Sequence, residues 1–259
     1  MDLALKGKII IVSGGARGIG EGITNLLAAE GAIPVIIGRS EADNIELVKA
    51  IQMQGHQADQ VVAELTDPFA CENAIQKIIT KYGQIDGLVN NAGENDSVGL
   101  EKGNYELFMQ SLHKNLVHYY LLAHHALPYL KKSEGNIVNI NSKTAETGQG
   151  GTSAYAAANG GRNALTREWA VELLPYGIRV NAVVVAECFT PLYEKWLQAL
   201  TNPEEKLKSI KAKIPLGQRF TTKEEIANTV AFLLSEKSSH TTGQLIHVDG
   251  GYVHLDRAL

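Results

Sequence analysis

The segment Gly14-Gly15-Ala16-Arg17-Gly18-Ile19-Gly20 sets three spaced glycines, Gly14, Gly18 and Gly20, between an apolar run and a helix-like stretch. Glycines at such a junction let backbone amides approach a pyrophosphate closely, and the helix N-terminus adds a favourable dipole. A tight turn with no ligand is the plainer alternative. An NAD site carries an acid about 20 residues further on, for the ribose 2′-hydroxyl. Here that stretch reads Ile37-Gly38-Arg39-Ser40, with no acid. Arg39 offers a planar donor fork suited to a 2′-phosphate, and Arg17 in the glycine loop can reach the same group. NADP is therefore the expected cofactor, with NAD as the weaker alternative.

Such a loop needs a scaffold, and the apolar pattern supplies one. Short β-branched runs at 8–13, 33–38, 60–65, 87–90, 136–141, 179–184 and 244–248 alternate with helix-like stretches at 20–30, 41–54, 68–82, 103–130, 153–174 and 223–235. Several runs are apolar on consecutive residues, as strands covered on both faces are. The alternation implies a Rossmann-type α/β fold: a doubly wound, parallel, seven-stranded sheet with helices on both faces. No repeat, low-complexity tract or linker interrupts it, so residues 1–259 are expected to form one domain. Segment 189–219, with Pro191, Pro203 and Pro215 among aromatics and lysines, reads as a lid over the carboxyl edge of the sheet.

The balance of 24 Lys and Arg against 28 Asp and Glu leaves a net charge of −4, and no dense basic run is present, which argues against nucleic acid as a partner. The run Ile9-Ile10-Ile11-Val12 falls far short of the ~20 apolar residues of a membrane span. No signal peptide is legible, since Asp2, Lys6 and Lys8 fill the start. Cys71 and Cys188 match neither a disulfide framework nor a metal spacing. The eight histidines share no site spacing and read as structural or surface residues, so no metal site is expected. A soluble cytoplasmic protein is the expectation.

Further motifs are Asn90-Asn91-Ala92-Gly93 after the fourth run, Asn115, Ser142, Tyr155 and the closing Thr242-Gly243-Gln244-x3-Val248-Asp249-Gly250-Gly251. With the glycine loop, they make the chain resemble the short-chain dehydrogenase/reductase family over nearly its whole length. The resemblance implies that Tyr155 is the general acid/base, that Ser142 polarises the reacting oxygen and that Asn115 sustains a water-linked proton path. It also implies cofactor contacts at Ile19, Glu64, Leu65, Asn91, Ala92, Gly93, Tyr155, Asn159 and Thr190, and a homotetramer. The physics agrees with these roles. Alcohol oxidation needs a group to take the hydroxyl proton, and a phenol of pKa about 10 does so at neutral pH only beside positive charge. A serine hydroxyl can donate to the developing carbonyl.

Two departures from the family pattern stand out. Where the family has Tyr-x3-Lys, the chain reads Tyr155-Ala156-Ala157-Ala158-Asn159. Position i+4 leaves Asn159 on the helix face of Tyr155, able to hydrogen-bond a ribose, but it carries no charge. Weakened catalysis with retained cofactor binding is the expectation. The other possibilities are work at alkaline pH, or a substitute cation at Lys143 or Arg162, Lys143 being expected to face substrate or solvent. After the sixth run, Val185 and Ala186 stand where the family has Pro-Gly, followed by Glu187, Cys188, Phe189 and Thr190.

The segments expected to face the site are polar: Glu94-Asn95-Asp96, Lys143-Thr144-Ala145-Glu146, Gln149 and Glu187. A small hydroxylated substrate suits them, because each hydroxyl taken out of water needs a partner. Asn95, Lys143, Gln149 and Glu187 are the substrate-binding candidates, Glu187 as a clamp on two hydroxyls. The Ser142–Ala145 loop, the 186–196 tract and the 252–259 tail resemble the L-fucose dehydrogenase branch of the family. That implies oxidation of a pyranose at its anomeric carbon, with His254 and Arg257 as possible contacts to a second subunit. The opposing reading, prompted by Asn159 alone, is a catalytically silent dinucleotide-binding sensor or scaffold.

Overall fold

The computed structural model describes residues 2–198 and 200–255, so Arg257 lies outside the described residues. The first β-branched run forms β1 (Ile9–Ser13), buried along its whole length. It pairs in parallel with β2 (Ile33–Gly38) on one side and β4 (Gly87–Asn90) on the other. With β3 (Asp59–Val62), β5 (Asn136–Ser142), β6 (Arg179–Val185) and β7 (Leu245–Val248), they make a parallel seven-stranded sheet in the order β3-β2-β1-β4-β5-β6-β7. The order reverses between β1 and β4, and in open α/β sheets that switch point opens a crevice at the carboxyl ends of the strands.

Consecutive apolar residues serve two layers. Ile9, Ile11, Leu88, Ile137 and Val180 pack with α3 (Pro68–Tyr82), α5 (His118–Ser133) and α6 (Ser153–Glu172) on one face. Ile10, Val12, Val89, Val138 and Val183 pack with α1 (Gly18–Ala29) and α9 (Lys223–Leu234) on the other. Burying each such side chain contributes about 1.5–3 kcal/mol. A smaller cluster seats α2 (Glu41–Met53) through Leu47 and Ile51 against Ile36.

Three expectations are adjusted. The third strand stops at Val62 instead of residue 65. Glu64 there turns back to accept from the Thr66 amide and hydroxyl, both at 3.1 Å, as the chain heads for the Asp67 cap of α3. The helix expected over 103–130 is two, α4 (Tyr105–Leu112) and α5, joined by a π-helical turn over His113–Val117. Segment 189–219 holds α7 (Pro191–Gln198) and α8 (Pro203–Lys211). Tyr193 of α7 packs edge-on against Trp196 and Phe220, each pair with ring centroids 5.2 Å apart.

Candidate active site

At the switch point β4 is tied to β1. The Ser13 hydroxyl accepts from the backbone amides of Asn91 and Ala92, at 2.9 and 3.0 Å. The Asn91 side-chain amide donates to the carbonyls of Ser13 and Gly14, at 2.9 and 3.2 Å. Asn91 thus shapes the glycine turn from behind. Gly14 has φ +62°, and a Cβ on Gly20 would stand 2.2 Å from the Gly14 carbonyl oxygen. Gly18 lies under Thr190, whose Cγ2 would be 3.3 Å from a Cβ there. The cap of α1 is Arg17, extended and without a side-chain bond to the first amides, and Ile19 follows within the first turn. Backbone without Cβ atoms at Gly14, Gly18 and Gly20, around the start of a twelve-residue helix, fits a pyrophosphate. The residues present therefore fit a dinucleotide.

The two arginines expected at the ribose phosphate are both largely exposed, and both have acidic neighbours. Arg17 Nη2 lies 2.5 Å from Asp43 Oδ1, and Arg39 Nη2 lies 3.8 Å from Glu94 Oε2. The Ser40 hydroxyl, and after it Arg17, hold Asp43 below the ordinary carboxylate value. Glu94 also takes Lys114 at 3.0 Å. Beyond β3, Glu64 is exposed and Leu65 is buried. Gly93, the end of the Asn91-Ala92-Gly93 turn, is exposed.

The catalytic candidates come from three elements that pack together. Ser142 ends β5 and accepts from the Thr144 amide at 3.3 Å, opening the 3-10 turn Lys143–Ala145. Tyr155 is half-buried in the first turn of α6, which packs on that turn and on the π-turn. Asn115 sits in the π-turn, fully buried, and its Oδ1 accepts from the Glu94 amide at 2.8 Å.

Arg162 joins these elements. Its Nε donates to the Asn115 backbone carbonyl at 2.5 Å, and its Nη1 to the Ile140 carbonyl at 3.2 Å and to Asn159 Oδ1 at 3.1 Å. The guanidinium stacks on Tyr119, 4.2 Å from the ring centroid. Its Nη2 faces Gly93, where a Cβ would stand only 2.7 Å away. Asn159 is fully buried, with its amide nitrogen on the Tyr155 backbone carbonyl at 2.8 Å. Asn159, expected to turn toward a ribose, is instead committed to its own helix and to Arg162. Burial, then the Arg162 charge, drive the neighbouring His118 down to about 3, so it is neutral.

Lys143, expected to face substrate or solvent, is buried. Its ammonium bonds Glu187 and lies 4.0 Å from the Tyr252 ring centroid. Only 8% of the Lys143 side chain and 12% of the Glu187 side chain are exposed. Burial first, and then Glu187, push the Tyr193 phenol far above its ordinary value. Asn95 and Gln149 are exposed, and Asn95 Oδ1 accepts from the Ser97 amide at 3.1 Å. The two cysteines are free and buried, with burial raising Cys71 to about 11 and Cys188 to about 12, so neither is a nucleophile. Sequence reasoning missed Tyr193 and Tyr252 at this cluster. The only signal for Tyr252 was its place just after Gly250-Gly251, in a tail marked by resemblance.

Comparison with known proteins agrees with this geometry. A family model described as "Enoyl-(Acyl carrier protein) reductase" matches residues 14–253. The chain is 37% identical to the 3-oxoacyl-[acyl-carrier-protein] reductase FabG of Thermotoga maritima, over 97% of this chain and 100% of that one. It is 32% identical to the L-fucose dehydrogenase of Bos taurus, over 97% of this chain and 91% of that one. The crystal structure of Cj0485 dehydrogenase superposes with a TM-score of 0.94 at 49% identity, covering 100% of this chain and 99% of that one. With a parallel seven-stranded sheet, a glycine cradle at its switch point, and Ser142, Tyr155 and Asn115 on adjoining elements, the chain belongs to the short-chain dehydrogenase/reductase family, oxidoreductases of CH–OH groups that use NAD(P).

Proposed function

We propose that the enzyme oxidises the anomeric hydroxyl of an L-fucose-like pyranose to the lactone, with NADP as hydride acceptor. The observation that carries this reading is the buried Lys143–Glu187 pair beside Ser142, with the phenols of Tyr193 and Tyr252 against it. An acyl chain would gain nothing from a buried ion pair, whereas sugar hydroxyls find donors and acceptors there. Similarity to an L-fucose dehydrogenase supports the same choice.

The residues divide the work. The backbone at Gly14, Gly18, Ile19 and Gly20 holds the pyrophosphate, and Arg39 with Arg17 receives the 2′-phosphate. When bound, the nicotinamide supplies a hydride acceptor. Ser142 donates to the sugar oxygen as its carbonyl character grows, and Tyr155 Oη, as the phenolate, takes the hydroxyl proton while the hydride leaves the anomeric carbon. Glu187 and Lys143 hold two other hydroxyls and so fix which carbon faces the acceptor.

The test is the initial rate of NADPH appearance with L-fucose and related pyranoses, from neutral to alkaline pH, beside reduction of a 3-oxoacyl thioester by NADPH. Turnover of L-fucose well above the thioester is expected. Thioester reduction without sugar oxidation would overturn the reading, and cofactor binding without turnover of either would favour the sensor.

A further inference from the structure

Three side chains that come from distant parts of the chain meet at the surface beside this site. Glu146 follows the Lys143–Ala145 turn, His247 lies on β7, and His254 lies in the C-terminal turn. Glu146 Oε2 is 3.0 Å from His247 Nε2 and 3.8 Å from His254 Nε2. One potential ligand atom from each residue falls within 4.8 Å of the other two. The two imidazoles stand almost perpendicular, at 87°, with centroids 4.3 Å apart.

We propose that Glu146, His247 and His254 form a binding site for a divalent transition-metal ion, with Zn²⁺ the best match. Zinc sits about 2.0–2.1 Å from imidazole nitrogen and carboxylate oxygen, which puts tetrahedral ligands roughly 3.4 Å from one another. The two separations of 3.0 and 3.8 Å bracket that value. Two imidazoles and one carboxylate suit Zn²⁺, Co²⁺ or Ni²⁺, whereas Mg²⁺ and Ca²⁺ take all-oxygen sets.

The carboxylate is also braced from behind. Glu146 Oε1 accepts from Asn163 Nδ2 at 3.4 Å, and Asn163 Oδ1 accepts from Asn141 Nδ2 of β5 at 2.6 Å. Such outer bonds orient a metal-binding carboxylate. The His254 side chain is 63% exposed, which gives an ion access and leaves room for water as a fourth ligand.

The ion would act as a clamp. Glu146 lies three residues after Lys143, and His254 two residues after Tyr252, the aromatic ring over the Lys143 ammonium. Joining Glu146 to His254 therefore fixes the C-terminal turn over the Lys143–Glu187 pair. This inference is independent of the substrate proposed above.

The experiment uses the untagged full chain, stripped with a chelator that is then removed. Zn²⁺ is titrated by calorimetry, and Co²⁺ by its visible absorption. One equivalent per chain is expected, with Co²⁺ bands of the intensity given by a four- or five-coordinate site. His254→Ala alters an exposed side chain and His247→Ala a strand residue; each is expected to weaken binding about tenfold or more. Circular dichroism and NADP binding confirm that both variants are folded. Absence of binding by the parent chain, or binding undiminished in both variants, would overturn the site and leave a plain histidine–carboxylate hydrogen bond.

Discussion

The side-chain carbonyl of Asn159 accepts from the Arg162 guanidinium at 3.1 Å, and both residues are buried within α6. The positive charge that the family pattern places four residues after the tyrosine is absent from that position. A guanidinium three residues further on occupies the same interior and grips the Asn115 carbonyl directly.

Asn159→Lys alone therefore brings a second buried cation against the first. It is expected to destabilise the fold by about 3–5 kcal/mol, the scale of an uncompensated buried charge. The double variant Asn159→Lys/Arg162→Met restores a single cation and should recover most of that loss. Thermal melts of the three chains check this, and an undisturbed single variant would refute it. Any gain in kcat from a lysine at 159 is expected only in the double background.

Arg39→Ala should raise the KM for NADP about tenfold to 100-fold, the worth of one charge-assisted hydrogen bond, and leave that for NAD nearly unchanged. Steady-state kinetics with both cofactors decide it. Equal effects on the two would remove Arg39 from the phosphate site.

Glu187→Leu strands the Lys143 ammonium in the interior, at a cost of about 3–5 kcal/mol less whatever Tyr252 returns. Lys143→Met with Glu187→Leu should regain that stability while sugar KM stays high. Melting and kinetics on the same preparations separate the two roles. Recovery of KM along with stability would mean the pair only packs.

His118 brings an acid-side liability. Its folded pKa is about 3 against an ordinary 6.5, chiefly through burial. Above about 6.5 the fold loses nothing through this group; below it, the unfolded chain takes up a proton that the fold refuses. Stability should then fall by about 1.4 kcal/mol per pH unit until the folded value is reached. Melting temperatures of the parent chain should drop faster on acidification than those of His118→Gln, and parallel curves would contradict the assignment.

Gly20→Ala drives a Cβ to 2.2 Å from the Gly14 carbonyl oxygen and 2.6 Å from the Asn91 amide nitrogen. The glycine turn has to deform, and NADP affinity should fall at least about tenfold, since backbone approach to the phosphates depends on its shape. Fluorescence titration with NADPH measures this. Unchanged affinity would place the phosphates elsewhere.

The sheet was legible in the sequence because fully buried parallel strands write themselves as unbroken β-branched runs, as Ile9 to Val12 do. The glycine loop and the hydroxyls of Ser142 and Tyr155 were legible as motifs. Other features depend on contacts that spacing does not encode. Lys143 and Glu187 are 44 residues apart, and Glu146 and His247 are 101 apart, so each pair meets only because β5, β6 and β7 end side by side. The third strand was read three residues too long because Ala63 and Leu65 are buried while the chain is already leaving the sheet. Asn159 looked like a ribose ligand because i+4 geometry fixes the face of a helix but not the partner across it.

The π-turn at His113–Val117 has a consequence for how this helix tolerates change. A regular α-helix advances 100° per residue, so one surplus residue sets α4 out of phase with α5 by that angle. Deleting a single residue there would let the two segments fuse into one regular helix, and every side chain upstream would rotate away from its present neighbour. Ser111, which meets Asp96 at 2.9 Å, and the Asn115 carbonyl held by Arg162 would both lose their partners in the same event. Length at this point is a setting as specific as any side chain, and a one-residue indel there would act as an active-site mutation even where Asn115 itself is kept.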